Sequence, residues 1–301
     1  MAILATGIVL ICTAVSCLYL SRGRPMGHGP AGPTVSRDVF SHPWTDRQIL
    51  LVGLGDSVTA GFGARKGYSY FDRVVVNPPD EFADMRDICL STVLPKLQFT
   101  NLSLSGSTSL EHLEKELPHL PAVGSNVLGI IVITTGGNDL IHNYGRTPPR
   151  EQAVYGADWE QAKPWIDNFQ RRLDSMISQI EAHFPGGSQI FLANIFDPTD
   201  GIGDAEHAGL PPWKEAMRIL DAYNEVIQQC AKNHPDVHRV DIHGAFLGHG
   251  IHCTQFWREH YNRHDPHYWF YENLEDPNER GYDVIRRLFL IEITKVANQL
   301  N

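Results

Sequence analysis

Positive charge is what this 301-residue chain has least of. Lys and Arg number 25 against 35 Asp and Glu, a formal charge of −10. No nucleic-acid partner is expected, because binding to phosphates needs cationic surface that displaces counterions. Cysteine is sparse too. Of five, Cys12 and Cys17 fall in the N-terminal segment, leaving Cys89, Cys230 and Cys253 far apart. That spacing makes neither a disulfide framework nor a zinc site, and buried free thiols are the expectation. There is no internal repeat.

Charge is missing altogether from Ala2 to Leu20, an almost continuously apolar run with no Lys or Arg before it. About 20 such residues suffice to cross a bilayer as a helix. A cleaved signal would carry a basic n-region and a shorter apolar stretch. Residues 1–20 are therefore expected to be a membrane anchor or export signal, with the membrane as partner through residues 3–20. Arg22 and Arg24 follow the run and place the remainder on the cytoplasmic side, whereas Ala14-Val15-Ser16-Cys17 resembles a lipoprotein processing site and places it outside. Sidedness stays open.

Residues 21–47, with Gly23, Pro25, Gly27, Gly29, Pro30, Gly32 and Pro33, read as a tether without a core of its own. From residue 48 to 301 apolar runs alternate with helical stripes. Strands are expected at Ile49–Leu54, Leu97–Leu104, Gly129–Thr135, Gln189–Ile195 and Val237–Ile242, as runs buried on both faces. Helical spacing links Ile166, Phe169, Leu173, Met176, Ile177 and Ile180. A looser stripe runs from Trp213 to Cys230, and a third from Ile285 to Val296. The prolines at 211–212 and 277 suit helix starts. Such alternation implies one α/β domain with a five-stranded parallel sheet between helices.

In an open parallel sheet the chemistry sits at the carboxyl ends of the strands. The first end carries Gly55-Asp56-Ser57-Val58-Thr59-Ala60-Gly61, the second Asn101-Leu-Ser-Leu-Ser-Gly106, the third Gly136-Gly137-Asn138-Asp139. Ser57 offers a hydroxyl, Gly106 an unobstructed backbone N–H, and Asn138 an amide NH2. A nucleophile and neutral donors for an oxyanion are what acyl transfer requires. Losing one such donor typically costs about 3–4 kcal/mol of barrier.

These three blocks, in this order, closely resemble those of the SGNH (GDSL-type) hydrolases. The resemblance covers residues 49–140 directly, and the later strand–helix rhythm fits that family's flavodoxin-like three-layer α/β/α fold. It implies a serine esterase without a cofactor, acting on a small-molecule ester or an acylated carbohydrate or lipid. Ser57 would be nucleophile and first oxyanion donor, with Gly106 and Asn138 the other two.

The last block departs from the pattern. The family's Asp-x-x-His-Pro-Asn-x-x-Gly corresponds here to Asn273-Leu-Glu-Asp276-Pro277-Asn278-Glu-Arg-Gly281. The Pro-Asn-x-x-Gly frame is kept, but Asp276 stands at the histidine position and Asn273 at the aspartate position. An ordinary carboxylate is a poor base toward serine compared with imidazole. Three explanations compete. A histidine arrives from the upstream loop, with His267 and His252 the candidates and Asp276 or Asp265 orienting it. Alternatively, the site has lost hydrolysis and persists as a binding protein. The third is a metal held by His260, His264 and His267, spaced to share a helical face; it is the weakest, and no metal is expected. The aromatics from Phe256 to Tyr271 read chiefly as loop packing.

Overall fold

The computed structural model describes Thr13 and residues 18–300. Five strands form one parallel sheet: β1 Gln48–Gly55, β2 Leu97–Asn101, β3 Val127–Thr134, β4 Ser188–Ala193 and β5 Val237–Val240. Their order is β2-β1-β3-β4-β5, the flavodoxin-like winding in which the topology reverses between β1 and β3. Chain alternation sorts the side chains into two cores. Ile49 and Leu51 of β1 join Ile130 and Val132 of β3 on one face. Leu50, Val52, Ile131 and Ile133 face the other way. All five expected strands are present. The two edge strands, β2 and β5, are less buried than the inner three, and on β2 Phe99 is exposed.

The helices that matter to the site are α1 Ser57–Ala60, α2 Tyr70–Val75, α3 Gly137–Ile141, α4 Trp159–His183, α5 Ala216–Asn233 and α6 Glu279–Lys295. α2 and α6 cover one face, where Tyr70 and Phe289 stack with centroids 4.8 Å apart; α4 and α5 cover the other. α4 begins at a capping box, Asp158 with Gln161, which satisfies otherwise orphaned donors of the first turn. Pro277 stands immediately before the α6 cap, Asn278. Pro211-Pro212 lies in loop, and α5 opens only at Ala216.

Residues 21–47, expected as a free tether, are instead strapped along the domain. Ala31, Val35, Phe40 and Trp44 are buried in the α2–α6 core. The Ala31 amide donates to the Asp283 carboxylate (2.9 Å), and Arg280 donates to the His28 carbonyl (2.8 Å). Glycine and proline correctly marked a segment with little regular structure, one 3-10 turn at Asp38–Ser41 apart, but irregular spacing hid four apolar anchors. The anchor or signal expected over residues 1–20 lies outside the described residues except for Thr13 and Leu18–Leu20. Among the described residues no helix is long and apolar enough to cross a membrane.

The strap is held through a buried charge cluster. Asp283 meets Arg286 (2.6 Å), Arg287 (3.1 Å) and Arg73 (3.3 Å), while Glu81 pairs with Arg73 (2.6 Å) and Arg286 (2.5 Å). Removing one partner of a buried ion pair strands the other charge and costs about 3–5 kcal/mol. Asp283→Ala should therefore lower the urea midpoint by an amount equivalent to that range. A loss below about 1 kcal/mol would show that the cluster is solvated and does not hold the strap.

Candidate active site

The site begins with a turn that only glycine allows. Gly55 ends β1 at φ +124°, where an added Cβ would lie 2.1 Å from the Thr134 carbonyl oxygen. The chain thus turns out of the sheet against the end of β3. Asp56 caps α1, accepting the Val58 amide (3.1 Å). It also accepts the Thr134 hydroxyl (2.7 Å), Thr134 accepts from Thr59 (2.8 Å), and Thr59 from Tyr70 (2.7 Å). Burial pushes the Asp56 carboxyl above its ordinary range, and the Thr134 bond offsets part of that rise. Ser57 is the first residue of α1, where a backbone N–H has no intrahelical acceptor.

The second and third strand ends are tied together. Asn138 donates its amide to the Ser107 carbonyl (2.9 Å), and His142 donates from Nε2 to the Gly106 carbonyl (2.9 Å). Gly106 sits at φ +84° with open space where a side chain would stand. Below them Glu116, fully buried, accepts the Gly55 amide (2.7 Å), the Ser107 hydroxyl (3.1 Å) and His112 Nδ1 (2.8 Å). Burial acts to lower the His112 pKa, but the bonded Glu116 carboxylate raises it overall.

The fourth stretch brings a carboxylate, not an imidazole, to Ser57. Asp276 is buried, and desolvation raises its pKa. The facing Ser57 hydroxyl and the Asn273 amide pull it partly back. Asn273 donates to Oδ2 at 2.6 Å, while Oδ1 makes no hydrogen bond of regular geometry. The Ser57 contact is therefore loosely aligned, as such contacts often are in unliganded sites. Asn273 also accepts the amides of Glu275 and Asp276 (both 3.2 Å), so one side chain fixes the turn and orients the carboxylate. Glu275 is raised to about 7 by burial and by the charges of Asp276 and Asp56.

Ser57 and Asn138 line one cavity of about 140 Å³, together with Glu275 and a largely apolar wall from residues 195–220. Neither His252 nor His267 lines it. His252 Nε2 pairs with Asp204 (2.8 Å) and packs on His207; His267 pairs with Asp265 (2.5 Å), which also holds Arg280. His249 stacks on Trp269 at 3.3 Å, and burial lowers its pKa to about 4. Residues 256–270 contain no helix, so His260, His264 and His267 share no helical face. These histidines pin a long loop. Glu275, Asn273 and His142 are site residues that sequence reading did not single out as such. His142 had a signal, since it follows Asn138 by one helical turn.

With this arrangement in view, the comparisons are decisive for the family. Residues 54–284 match the model of the GDSL-like lipase/acylhydrolase family. The chain belongs to that family. Its fold is shared with a mutant of Axe2, an acetyl-xylooligosaccharide esterase from Geobacillus stearothermophilus (19% identity, 83% of this chain and 96% of that one, TM-score 0.50). An extracellular lipase from Streptomyces rimosus is also similar (16% identity, 84% and 100%, TM-score 0.48). So is a lipolytic protein of the G-D-S-L family from Veillonella parvula (13% identity, 80% and 96%, TM-score 0.47). No curated protein sequence gives a significant match.

The raised Glu275 pKa has a consequence for stability. From its ordinary value of 4.5 up to about 7, the folded protein holds a proton that the unfolded chain releases. Stability contributed by this group therefore falls as pH rises through that window, and is level above it. Glu275→Gln should match the wild type in urea at pH 4 and exceed it at pH 8. The gain is on the order of 1–2 kcal/mol after allowing for screening at a partly exposed site. Equal stability at both pH values would contradict the burial of this carboxyl.

Proposed function

We propose that this chain hydrolyses carboxylic esters through an acyl-enzyme on Ser57, with Asp276 as the base and Asn273 as its orienting partner. The loop histidine expected from the sequence is replaced in this reading by the aspartate. The observation that carries it is the buried Asp276 carboxylate facing the Ser57 hydroxyl, with its basicity raised by desolvation. A base is more effective as its pKa approaches the working pH, so burial moves this carboxylate in the direction of an imidazole's basicity.

In the first half-reaction Ser57 Oγ attacks the ester carbonyl carbon as its proton passes to Asp276. Negative charge builds on the carbonyl oxygen, where the Ser57 and Gly106 amides and the Asn138 side chain donate. The Asn138–Ser107 and His142–Gly106 hydrogen bonds hold two of these donors in one frame. Collapse of the intermediate breaks the bond to the alkoxide, which takes the proton from Asp276. Water then gives a proton to Asp276 as it attacks the acyl-enzyme, and collapse breaks the bond to Ser57 Oγ, which takes the proton back from Asp276 as the acid leaves. No step calls for a cofactor.

We also propose that the N-terminal run holds the enzyme at a membrane surface. Thr254 and Gln255 donate to carbonyls of residues 19–23. Beside them Leu18, Tyr19, Phe256 and Trp257 are exposed. Aromatic side chains of this kind suit the membrane–water interface.

A fluorophosphonate probe should label the wild type and spare Ser57→Ala. Asp276→Asn should keep the fold and lower kcat for a short aryl ester by about 100- to 10,000-fold. In the wild type kcat/KM should rise with pH through an apparent pKa above the ordinary carboxylate range. An unlabelled wild type would favour a binding protein that keeps the pocket. Full activity of Asp276→Asn would eliminate the aspartate as base.

A further inference from the structure

We infer that the cavity beside Ser57 is an acyl-chain site, and that the substrate is an ester of a medium-chain fatty acid of about six carbons. This rests on the esterase reading and names the substrate class for the same site.

The cavity is overwhelmingly apolar: Leu140, Tyr155, Ile195, Trp213, Met217 and Leu220 line it along with Ser57, Asn138 and Glu275. The polar atoms of the two large aromatics are already satisfied: the Tyr155 hydroxyl donates to the Pro211 carbonyl (2.6 Å), and Trp213 Nε1 to the Ala157 carbonyl (2.8 Å). The two rings pack on each other with centroids 4.8 Å apart, and what they add to the cavity lining is apolar ring surface. Asn194 is likewise engaged, donating to Asp241 (2.7 Å) and accepting the His243 amide (2.8 Å). Asp197 is occupied by Thr199 and the Gly201 amide. On this wall the Thr135 and Tyr144 hydroxyls alone are buried side-chain polar groups without a partner. Beyond Ser57, Asn138 and Glu275, two hydroxyls are too few for the several hydroxyls of a sugar ring, and each one left unpaired would cost its desolvation. An aliphatic chain incurs no such cost.

The volume sets the length. A cavity of about 150 Å³ lined by aliphatic and aromatic side chains takes up benzene, a six-carbon ligand, and this one measures about 140 Å³. A two-carbon acetyl group would leave most of it empty, and a sixteen-carbon chain would overfill it. Order of events assigns the acid side of the ester to the cavity. The alcohol must depart and water enter while the acyl group is still bonded to Ser57. A chain lodged among buried side chains suits the group that stays through both half-reactions.

Two measurements separate this inference from the reading it rests on. The first needs no catalysis. In Ser57→Ala, quenching of Trp213 fluorescence (with Trp213→Phe as the blank) should show linear carboxylates binding about fourfold more tightly per added methylene up to hexanoate. No gain should follow beyond octanoate. Equal weak binding of acetate and hexanoate would overturn the chain site, whatever the enzyme hydrolyses. The second is a series of aryl esters from acetate to palmitate with the wild type, Leu220→Ala and Ala205→Phe, Ala205 being another lining residue. The wild type should peak near hexanoate, the filled variant should move toward acetate, and the enlarged one toward longer chains. Far-UV circular dichroism of all three checks that each is folded. An acetate optimum unmoved in both variants would also overturn the inference. Failure of hydrolysis and labelling alongside graded carboxylate binding would retire the esterase and leave the apolar site standing.

Discussion

One buried chain of hydrogen bonds joins the ends of two strands, and the rest of the site depends on it. Tyr70 donates to Thr59, Thr59 to Thr134, and Thr134 to Asp56. The chain leaves β3, crosses the topological switch and ends on the carboxylate that caps the helix bearing Ser57. A capping carboxylate alone would fix α1 locally. Bonding it to Thr134 also fixes α1 against β3, the strand whose continuation carries Asn138. Ser57 and Asn138 are thus referenced to a common frame. Gly55 makes that possible, because a side chain there would collide with the carbonyl oxygen of the same threonine.

A second buried carboxylate does the same for the middle loop. Glu116 receives the Gly55 amide, the Ser107 hydroxyl and His112 together, linking the first block to the second, while Asn138 links the second to the third through the Ser107 carbonyl. Three loops from three strands are therefore braced against one another, by the buried Glu116 and by Asn138 itself. Such bracing matters more than any single contact energy, because an oxyanion hole works by holding its donors in place before charge develops. The neighbourhood is also acidic: burial first, and then the Asp276 charge, raises the pKa of both Asp56 and Glu275, and Asp56 adds to the rise at Glu275. Burial and that repulsion disfavour full ionisation of the group.

Much of this was legible from the chain alone. Apolar runs without alternation marked the strands, and small-residue clusters at the ends of β1, β2 and β3 marked Ser57, Gly106 and Asn138. The helical stripes of Ile166–Ile180 and Ile285–Val296 were real helices. What failed to show was whatever lacks a period. The strap over residues 21–47 docks through Ala31, Val35, Phe40 and Trp44 at irregular intervals. The buried face of α6 contains Asp283, Arg286 and Arg287, which a hydrophobic pattern counts as solvent-facing. The histidine-rich loop misled for a related reason: a side chain's chemistry is visible in sequence, but its direction in a non-helical loop is set by tertiary contacts such as Asp204 on His252.

The preserved Pro-Asn-x-x-Gly frame is not by itself a sign of catalysis. Asn278 caps α6 by accepting the amides of Arg280 and Gly281. A Cβ on Gly281 would lie 2.3 Å from the Trp269 carbonyl oxygen. Those are folding requirements, and they would hold the frame together in an inert relative. Asp276 is different. Nothing in α6 or its cap needs a carboxylate there, and burial penalises the ionised form. One of its oxygens has no regular hydrogen bond although the residue is almost wholly shielded from water. An apolar side chain would relieve that cost, since an unsatisfied buried polar atom destabilises by about 1–3 kcal/mol. A destabilising group held against a serine hydroxyl, and oriented by an asparagine devoted to it, has a physical rationale if it takes a proton from that serine.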